Sequence, residues 1–183
     1  ESAVLPVFGG GDGAASFVTL VNETRAAYNN FLMLSSGDNF LASIGRAAAD
    51  ANDVDYDAIV LDAIGYDALA LGNHDFDLGE QYLADFINAT ISASPEGTSS
   101  TFPFLGANLD FSAAVQDLKD LESAGRIAAS TIIDVNGTDV GVIGAVTPAL
   151  ASISTPGNVT VEDRAGTIAA INAEITSLND ADV

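Results

Sequence analysis

The sequence contains no cysteine and no tryptophan, and its 183 residues include a single histidine and a single methionine. Without cysteine, the chain cannot be a disulfide-stapled scaffold. Basic residues are scarce as well: five Lys and Arg residues stand against 26 Asp and Glu residues, for a formal net charge of −21. Such a charge argues against binding to nucleic acid polymers or to anionic lipid, because both depend on basic side chains that neutralise phosphate.

Long apolar runs are also missing. None approaches the roughly 18 consecutive apolar residues that a membrane-spanning helix needs, so no membrane span is expected. Shorter apolar segments are abundant, and 48% of the residues are hydrophobic, including nine Phe and four Tyr. A chain of this length and composition can bury a sizeable core as one globular domain.

The acidic surface has two interpretations. The screening length of salt water falls from about 8 Å at physiological ionic strength to about 3 Å near 1 M, so an Asp-rich and Lys-poor surface stays soluble in strong salt. This composition therefore favours a marine or halophilic source. The alternative is that the charge simply keeps a secreted protein soluble.

Helical and strand-like segments alternate along the sequence, which predicts an α/β fold with crossovers between parallel strands. Apolar periodicity predicts helices at 15–28, 41–51, 56–64, 79–93 and 167–178, and short apolar runs predict strands at 31–34, 68–71 and 103–108. We expect the first helix to pack its apolar face on the sheet and the last helix to pack through its apolar face as well. These faces contain Phe17, Val18, Leu20 and Val21 in the first helix and Ile168, Ile171, Ile175 and Leu178 in the last.

A β-hairpin is predicted from two apolar segments, 127–135 and 138–146, that are joined at Asn136-Gly137. Asn-Gly is the strongest short-range signal for a two-residue turn between antiparallel strands. These residues therefore predict two antiparallel strands with a tight turn between them.

Two predicted strands end in polar motifs. Residues 37–40 read Gly-Asp-Asn-Phe after one strand, and residues 72–77 read Gly-Asn-His-Asp-Phe-Asp after the next and contain the single histidine. Ligands gather at the carboxyl ends of strands in open α/β sheets, so we expect Asp38 and Asn73 to share one cleft. The alternative is that each motif is an ordinary turn or helix cap with loop polarity.

The two motifs, in this order, resemble those of the calcineurin-like metallophosphoesterases, in their 5'-nucleotidase branch. Segments 64–71, 102–109 and 140–144, and Thr147-Pro148 after them, resemble the same family in the same order. The resemblance implies a layered α/β/β/α metallophosphoesterase sandwich. It also implies hydrolysis of phosphate esters, with 5'-nucleotides as the expected substrate, at a site that holds two divalent metal ions (Mn, Zn, Co or Mg).

The resemblance also implies a role for each polar residue of the motifs. Asp38 is expected to bridge both metal ions, and Asn73 to be a terminal ligand of one of them. His74 is expected to approach the phosphoryl oxygens or the leaving group without binding metal, and Asp77 to fix its ring. Asp75 stands where the family often has Glu and is interpreted as a neighbour of the ligands.

Other candidate residues lie in predicted loops near strand ends. Asn108 and Asp12 occupy such positions and carry oxygen atoms that could serve as ligands. A lone polar residue in a loop is also ordinary turn chemistry, so both stay candidates only.

The sequence lacks several features of the family. An Asp-x-His motif near the N-terminus, further histidines downstream and a C-terminal domain that grips the nucleotide base have no counterpart in it. We therefore expect these residues to be a partial catalytic domain, incomplete at both ends, of a periplasmic or extracellular protein. Alone, this part is expected to be inactive and to self-associate through exposed sheet edges.

A function of another class is also open. The parent could be an extracellular structural or assembly protein that uses this domain as a scaffold. An Asp-x-His motif upstream and a Gly-His-x-His-like segment downstream would favour the enzyme, and their replacement would favour the scaffold.

Overall fold

The computed structural model describes residues 13–40, 54–92 and 102–181. Within these residues the strands are β1 (Leu34–Ser35), β2 (Ala68–Ala70), β3 (Phe104–Leu105), β4 (Leu109–Asp110), β5 (Ile127–Ala128), β6 (Ser130–Asp134), β7 (Asp139–Ile143) and β8 (Thr160–Val161). The helices are α1 (Gly13–Ala27), α2 (Tyr56–Ile64), α3 (Glu80–Ser92), α4 (Gln116–Ser123), α5 (Leu150–Ile153) and α6 (Arg164–Asp180), and a short 3₁₀-helix spans His74–Phe76.

A parallel sheet lies at the centre of the fold, with its strands in the order β1, β2, β3, β5. Two antiparallel pairs accompany it, β6 with β7 and β4 with β8. Parallel neighbours need crossover connections. Helix α2 lies in the connection from β1 to β2, α3 in that from β2 to β3, and α4 in that from β3 to β5. The predicted α/β class is therefore confirmed.

Buried aromatic side chains anchor both polar motifs. Phe40 closes the first motif and Phe76 lies inside the second, and neither side chain is exposed to solvent. The ring centroids of Phe40 and Phe86, which lies on α3, are 4.4 Å apart. Those of Phe86 and Phe104, which lies on β3, are 6.4 Å apart. Because the phenylalanines are fixed in the core, the polar residues next to them in sequence are held at the rim of the sheet.

The start of β2 is joined to the elements around it by polar contacts. Asp55 caps the start of helix α2, because its side chain accepts a hydrogen bond from Ala58 N. Gly65 caps the end of the helix in the left-handed conformation, with φ of 70°. The Arg25 side chain of α1 donates to the carbonyls of Ile64 and Gly65 at 3.0 and 2.8 Å. These contacts define where the chain enters β2.

The predicted hairpin is present as β6 and β7, but its first strand is divided. Asn136 and Gly137 have φ of 55° and 85°, as the predicted two-residue turn requires. Segment 127–135, predicted as one strand, is split after Ala128. Its first part extends the parallel sheet beside β3, and its second part pairs with β7.

The first and last helices bury less of their apolar faces than the sequence pattern suggests. Val21 is the only buried residue of α1, and α6 has none, with Ile168 and Ile175 exposed at 53% and 45%. Helix α6 lies against β7, and this contact fully buries none of its side chains. The predicted helix at 41–51 lies outside the described residues.

Among the residues that the structure describes, no helix is both long and apolar enough to cross a membrane.

Candidate active site

The two polar motifs lie side by side because β1 and β2 are neighbours. Leu34 pairs with Ala68 and Ser35 with Leu69 in parallel register, so the residues that follow each strand leave the sheet at the same edge. As the sequence predicts, Asp38 and Asn73 therefore follow adjacent strands at their carboxyl ends.

Two glycines allow the motifs to approach backbone to backbone. A Cβ atom added at Gly37 would lie 2.7 Å from the Cα of Gly72, and Gly37 also has φ of 109°, a conformation that L side chains rarely adopt. A Cβ atom added at Gly72 would overlap the carboxylate and main-chain nitrogen of Asp38. A side chain at either position would push the motifs apart.

Asp38 is held in an unusual conformation between the motifs. Its φ of 56° lies in the left-handed region, which costs of order 1 kcal/mol or more for a residue other than glycine. Its Oδ1 accepts a hydrogen bond from the main-chain N–H of His74 at 3.0 Å. The carboxylate is thus in contact with residues on both sides of Asn73, since it also adjoins Gly72.

Asn73 precedes the short 3₁₀-helix and is half-buried. Its side chain makes no capping hydrogen bond to that helix, although Asn is a common capping residue. The Asn73 amide therefore does not cap the 3₁₀-helix.

Asn39 and Asp75, which are both buried, form a clamp beneath the site. Asp75 Oδ1 accepts from the Asn39 main-chain N–H at 2.7 Å. Asp75 Oδ2 accepts from the Asn39 side chain at 3.0 Å and from Gly72 N at 2.7 Å. Asn39 also donates to the Ala70 carbonyl of β2 and accepts from Ser35 Oγ of β1. Both Asp75 oxygens are occupied by N–H donors, which fits a neighbour of the ligands better than a ligand.

Burial has a measurable effect on Asp75. Removing the carboxylate from water raises its pKa to about 6, even though hydrogen bonds from Gly72 and Asn39 oppose the rise. The negative charge of Asp38 nearby contributes in the same direction.

His74 and Asp77 form a hydrogen-bonded pair at the rim of the site. His74 Nδ1 lies 2.6 Å from Asp77 Oδ2, and the His74 side chain is 45% exposed. The hydrogen bond with Asp77 raises the pKa of His74, and the charges of Asp77, Asp38 and Asp75 add to the rise. Because Nδ1 is engaged, Nε2 is the ring nitrogen left to meet a ligand.

Sequence reasoning did not single out two contributors to this site. Asn39 lies inside the first motif, and its place directly after Asp38 was a usable signal. Ser154, whose Oγ donates to Asp77 Oδ1 at 2.8 Å, is 77 residues distant and follows no motif. No local signal could have identified it.

Asn108, a further sequence candidate, is a structural residue. Its side chain exchanges two hydrogen bonds with the backbone of Val146, at 2.7 and 2.8 Å, and also donates to Thr167. These bonds tie the residue before β4 to the start of α6 and engage both the oxygen and the nitrogen of the Asn108 amide. Asp12 lies outside the described residues.

The donor chemistry fits part of a two-metal centre. Carboxylate and amide oxygens such as those of Asp38 and Asn73 are ligands that hard divalent cations accept. Within residues 13–40, 54–92 and 102–181, however, no group of three or more His, Asp or Glu residues could hold a metal ion. The described residues therefore contain no complete set of ligands for such a centre.

Two 5'-nucleotidases and a related phosphoesterase resemble this chain in sequence or in fold. The 5'-nucleotidase of Diplobatis ommata is 34% identical over 146 residues, which are 79% of this chain and 22% of that protein. The crystal structure of a 5'-nucleotidase precursor from Thermus thermophilus matches with a TM-score of 0.70 and 29% identity, over 92% of this chain and 30% of that one. No protein-family model matches the chain.

A third match shows the fold alone, because its sequence identity is only 23%. It is the calcineurin-like phosphoesterase YfkN from Bacillus subtilis, with a TM-score of 0.60 over 95% of this chain and 52% of that one. The chain spans 22% of the length of the Diplobatis ommata relative, so it matches a minor part of that protein. Sequence, fold and the paired strand-end motifs agree that the chain belongs to the calcineurin-like metallophosphoesterases, in their 5'-nucleotidase branch.

Proposed function

We propose that the chain is part of a metal-dependent phosphoric ester hydrolase that acts on 5'-nucleotides. One observation supports this proposal most directly: adjacent parallel strands bring the Asp38 carboxylate against the backbone of Gly72 and His74, on both sides of Asn73. Two oxygen ligands and a carboxylate-paired histidine at one sheet edge are suited to phosphoryl chemistry.

Asp38 and Asn73 would hold the metal ions in this proposal. Asp38 has two carboxylate oxygens and suits a bridging position, whereas Asn73 has one neutral carbonyl oxygen and suits a terminal position. Two divalent ions, when bound, would polarise the phosphoryl group. Additional ligands would come from residues beyond the described ranges.

His74 would hold a proton next to the reacting phosphoryl group. Its hydrogen bond with Asp77 raises its pKa and favours the imidazolium form, so that Nε2–H can donate to a phosphoryl oxygen or to the leaving group. A donor placed where negative charge develops stabilises the transition state more than the substrate.

The substrate class in this proposal is the nucleoside 5'-monophosphates. Sugar nucleotides, cyclic nucleotides and other phosphate esters are the alternative substrates. The net charge of −21 opposes an anionic substrate at long range. Salt screens that repulsion, while a local pair of dications would act at contact distance.

A periplasmic or extracellular location in a salt-rich environment belongs to the same proposal, and the acidic composition supports it. Cell fractionation of the source organism would test the location, and recovery of the protein only in the cytoplasm would contradict it. An unfolding free energy that falls steadily as KCl rises to about 1 M would contradict the salt-rich origin.

The three relatives described above do not favour the alternative of a structural or assembly protein, since they are named as 5'-nucleotidases or a phosphoesterase. The flanking sequence remains the discriminating observation. An upstream Asp-x-His motif would support the enzyme.

Phosphate release tests the proposal. The full-length protein that contains this chain would be incubated with a nucleoside 5'-monophosphate and Mn, Zn, Co or Mg, before and after treatment with a chelator. We expect activity that the chelator removes, that Asp38→Asn abolishes and that Asp110→Asn, at an exposed carboxylate, leaves intact. Absence of activity with all four metals, or activity that survives complete chelation, would overturn it.

A further inference from the structure

Asp77 has a second hydrogen-bond partner besides His74. Its Oδ2 lies 2.6 Å from His74 Nδ1, and its Oδ1 accepts from Ser154 Oγ at 2.8 Å. One carboxylate therefore connects a histidine in the second motif to a serine 77 residues further along the chain.

The backbone around Ser154 is fixed by buried neighbours. Ser154 follows α5, whose first residue, Leu150, is fully buried, and the Ser154 main-chain N–H donates to the Leu150 carbonyl at 3.0 Å. Two residues later Pro156 is buried, and Val159 is 3% exposed. The hydroxyl is thus presented from an anchored turn.

The same turn is tied to the helix that follows the second motif. Asn158 donates to Glu80 Oε1 at 2.8 Å, and the other oxygen of Glu80 accepts from Val115 N at 3.1 Å. Glu80 begins α3, three residues after Asp77. The segment that carries Ser154 and the helix that follows Asp77 are therefore held together by the Asn158–Glu80 hydrogen bond.

A carboxylate with one partner can rotate about its Cβ–Cγ bond, whereas partners on both oxygens fix its plane. The Asp77 side chain is 27% exposed, so water could compete with His74 if Asp77 had no other partner. A fixed Asp77 plane also fixes the ring to which it is bonded, as carboxylates do for metal-site and catalytic histidines.

We propose that Ser154 is a positioning residue: its hydroxyl holds Asp77 in the orientation that aims the His74 ring at the phosphoryl group. This inference rests on the proposed function for its catalytic consequence, but the hydrogen-bonded chain Ser154–Asp77–His74 stands independently of it. A merely structural Ser154 would tether the α5 turn to the second motif and have no effect on the imidazole.

The first experiment needs no activity. His74 is the only histidine of the 183-residue chain, so its ring ¹H and ¹⁵N resonances are unambiguous. We expect Ser154→Ala to move the Nδ1 resonances at fixed pH and Ser154→Thr, which keeps the hydroxyl, to restore them. Ser152→Ala is the matched control, because the Ser152 hydroxyl lies on the same short helix and donates only to the Ala149 carbonyl, at 2.7 Å.

Unchanged Nδ1 resonances in folded Ser154→Ala, checked by urea unfolding, would overturn the positioning role. A shift of the His74 Nδ1 resonances in Ser152→Ala as large as that in Ser154→Ala would overturn it as well. Such a result would mean that any change in the α5 turn affects the His74 ring.

The second experiment measures turnover of the full-length hydrolase. We expect Ser154→Ala to lower kcat about five- to tenfold with little change in KM or metal content, because an orientation needed in the transition state is lost. In an Asp77→Asn background the same change should cost less than about twofold, since residues that act through one another are not additive. Additive losses, or a loss confined to KM, would contradict the inference.

The two experiments separate the possible failures. If the wild-type protein hydrolyses no phosphate ester, the proposed function fails while the resonance shifts still decide whether Ser154 positions His74.

Discussion

Asn39 and Asp75 hold two strand ends together through two hydrogen bonds within one residue pair. The main-chain N–H of Asn39 donates to Asp75 Oδ1 at 2.7 Å, and its side-chain amide donates to Asp75 Oδ2 at 3.0 Å. Asn39 is next to Asp38 in sequence, and Asp75 is next to His74. The relative placement of these two site residues therefore depends on a buried pair whose polar atoms are bonded to each other.

Truncation of Asn39 should destabilise the chain strongly. Asn39→Ala removes the amide that bonds Ala70 O and Asp75 and leaves a buried carboxylate short of a donor. We expect a loss of about 3 kcal/mol in the unfolding free energy, measured by urea denaturation. Asn172→Ala, on the exposed side of α6, should change it by less than about 0.5 kcal/mol. Equal effects of the two substitutions would show that the clamp contributes nothing.

The buried charge of Asp75 should give stability a specific pH dependence. Its pKa is about 6 in the folded chain and 3.8 for an ordinary Asp, so the folded state binds the proton more tightly. Folding is then favoured at low pH, and this contribution is lost as the pH rises from about 4 through about 6, because the carboxylate must ionise while buried. The whole difference corresponds to about 3 kcal/mol, of which about 1.5 kcal/mol falls between about pH 5 and pH 7.5.

Urea unfolding at these two pH values checks this expectation. Between these two pH values the unfolding free energy of Asp75→Asn should fall less than that of the wild type, and the difference between the two decreases should be about 1.5 kcal/mol. Asp110→Asn is the control, because hydrogen bonds with Ser112 lower the pKa of Asp110 and it does not titrate in this range. A wild-type slope in Asp75→Asn would mean that the carboxylate is not buried as described.

Replacement of His74 should separate catalysis from metal binding. His74 Nδ1 is engaged by Asp77, which leaves the ring to act on the substrate, so His74→Asn in the full-length protein should lower kcat by about a hundredfold. Metal content, measured by elemental analysis, should stay at the wild-type level. Asn73→Ala is the comparison, and it should lower metal content. If metal content fell together with activity in His74→Asn, the histidine would be a ligand.

The 183-residue chain by itself should bind no tight pair of transition metal ions. Asp38 and Asn73 supply too few donors, because each ion normally needs four or more ligands and imidazole is the usual contributor. Calorimetric titration with Mn or Zn should show no pair of sites of micromolar affinity, and phosphatase activity should be negligible. Two such sites together with nucleotide hydrolysis would refute this, and Asp12 would be the first residue to examine as a ligand.

Local signals in the sequence determined a large part of the architecture and the location of the site. Apolar runs that end in Gly-Asp or Gly-Asn-His identify strands and the loops after them, and Asn136-Gly137 specifies a turn, because φ preferences and apolar periodicity act within a few residues. For the same reason the motifs predicted that Asp38 and Asn73 follow neighbouring strands.

Tertiary structure alone decided how those residues are supported. Asn39 reaches Asp75 across 36 positions and Ser154 reaches Asp77 across 77, and no rule that acts within a helical turn or a strand relates residues so far apart. The division of segment 127–135 between two sheets, and the exposure of Ile168 and Ile175, were likewise set by which surfaces met during packing. Periodicity shows which face of an element is apolar, but burial depends on whether another element is wide enough to cover that face.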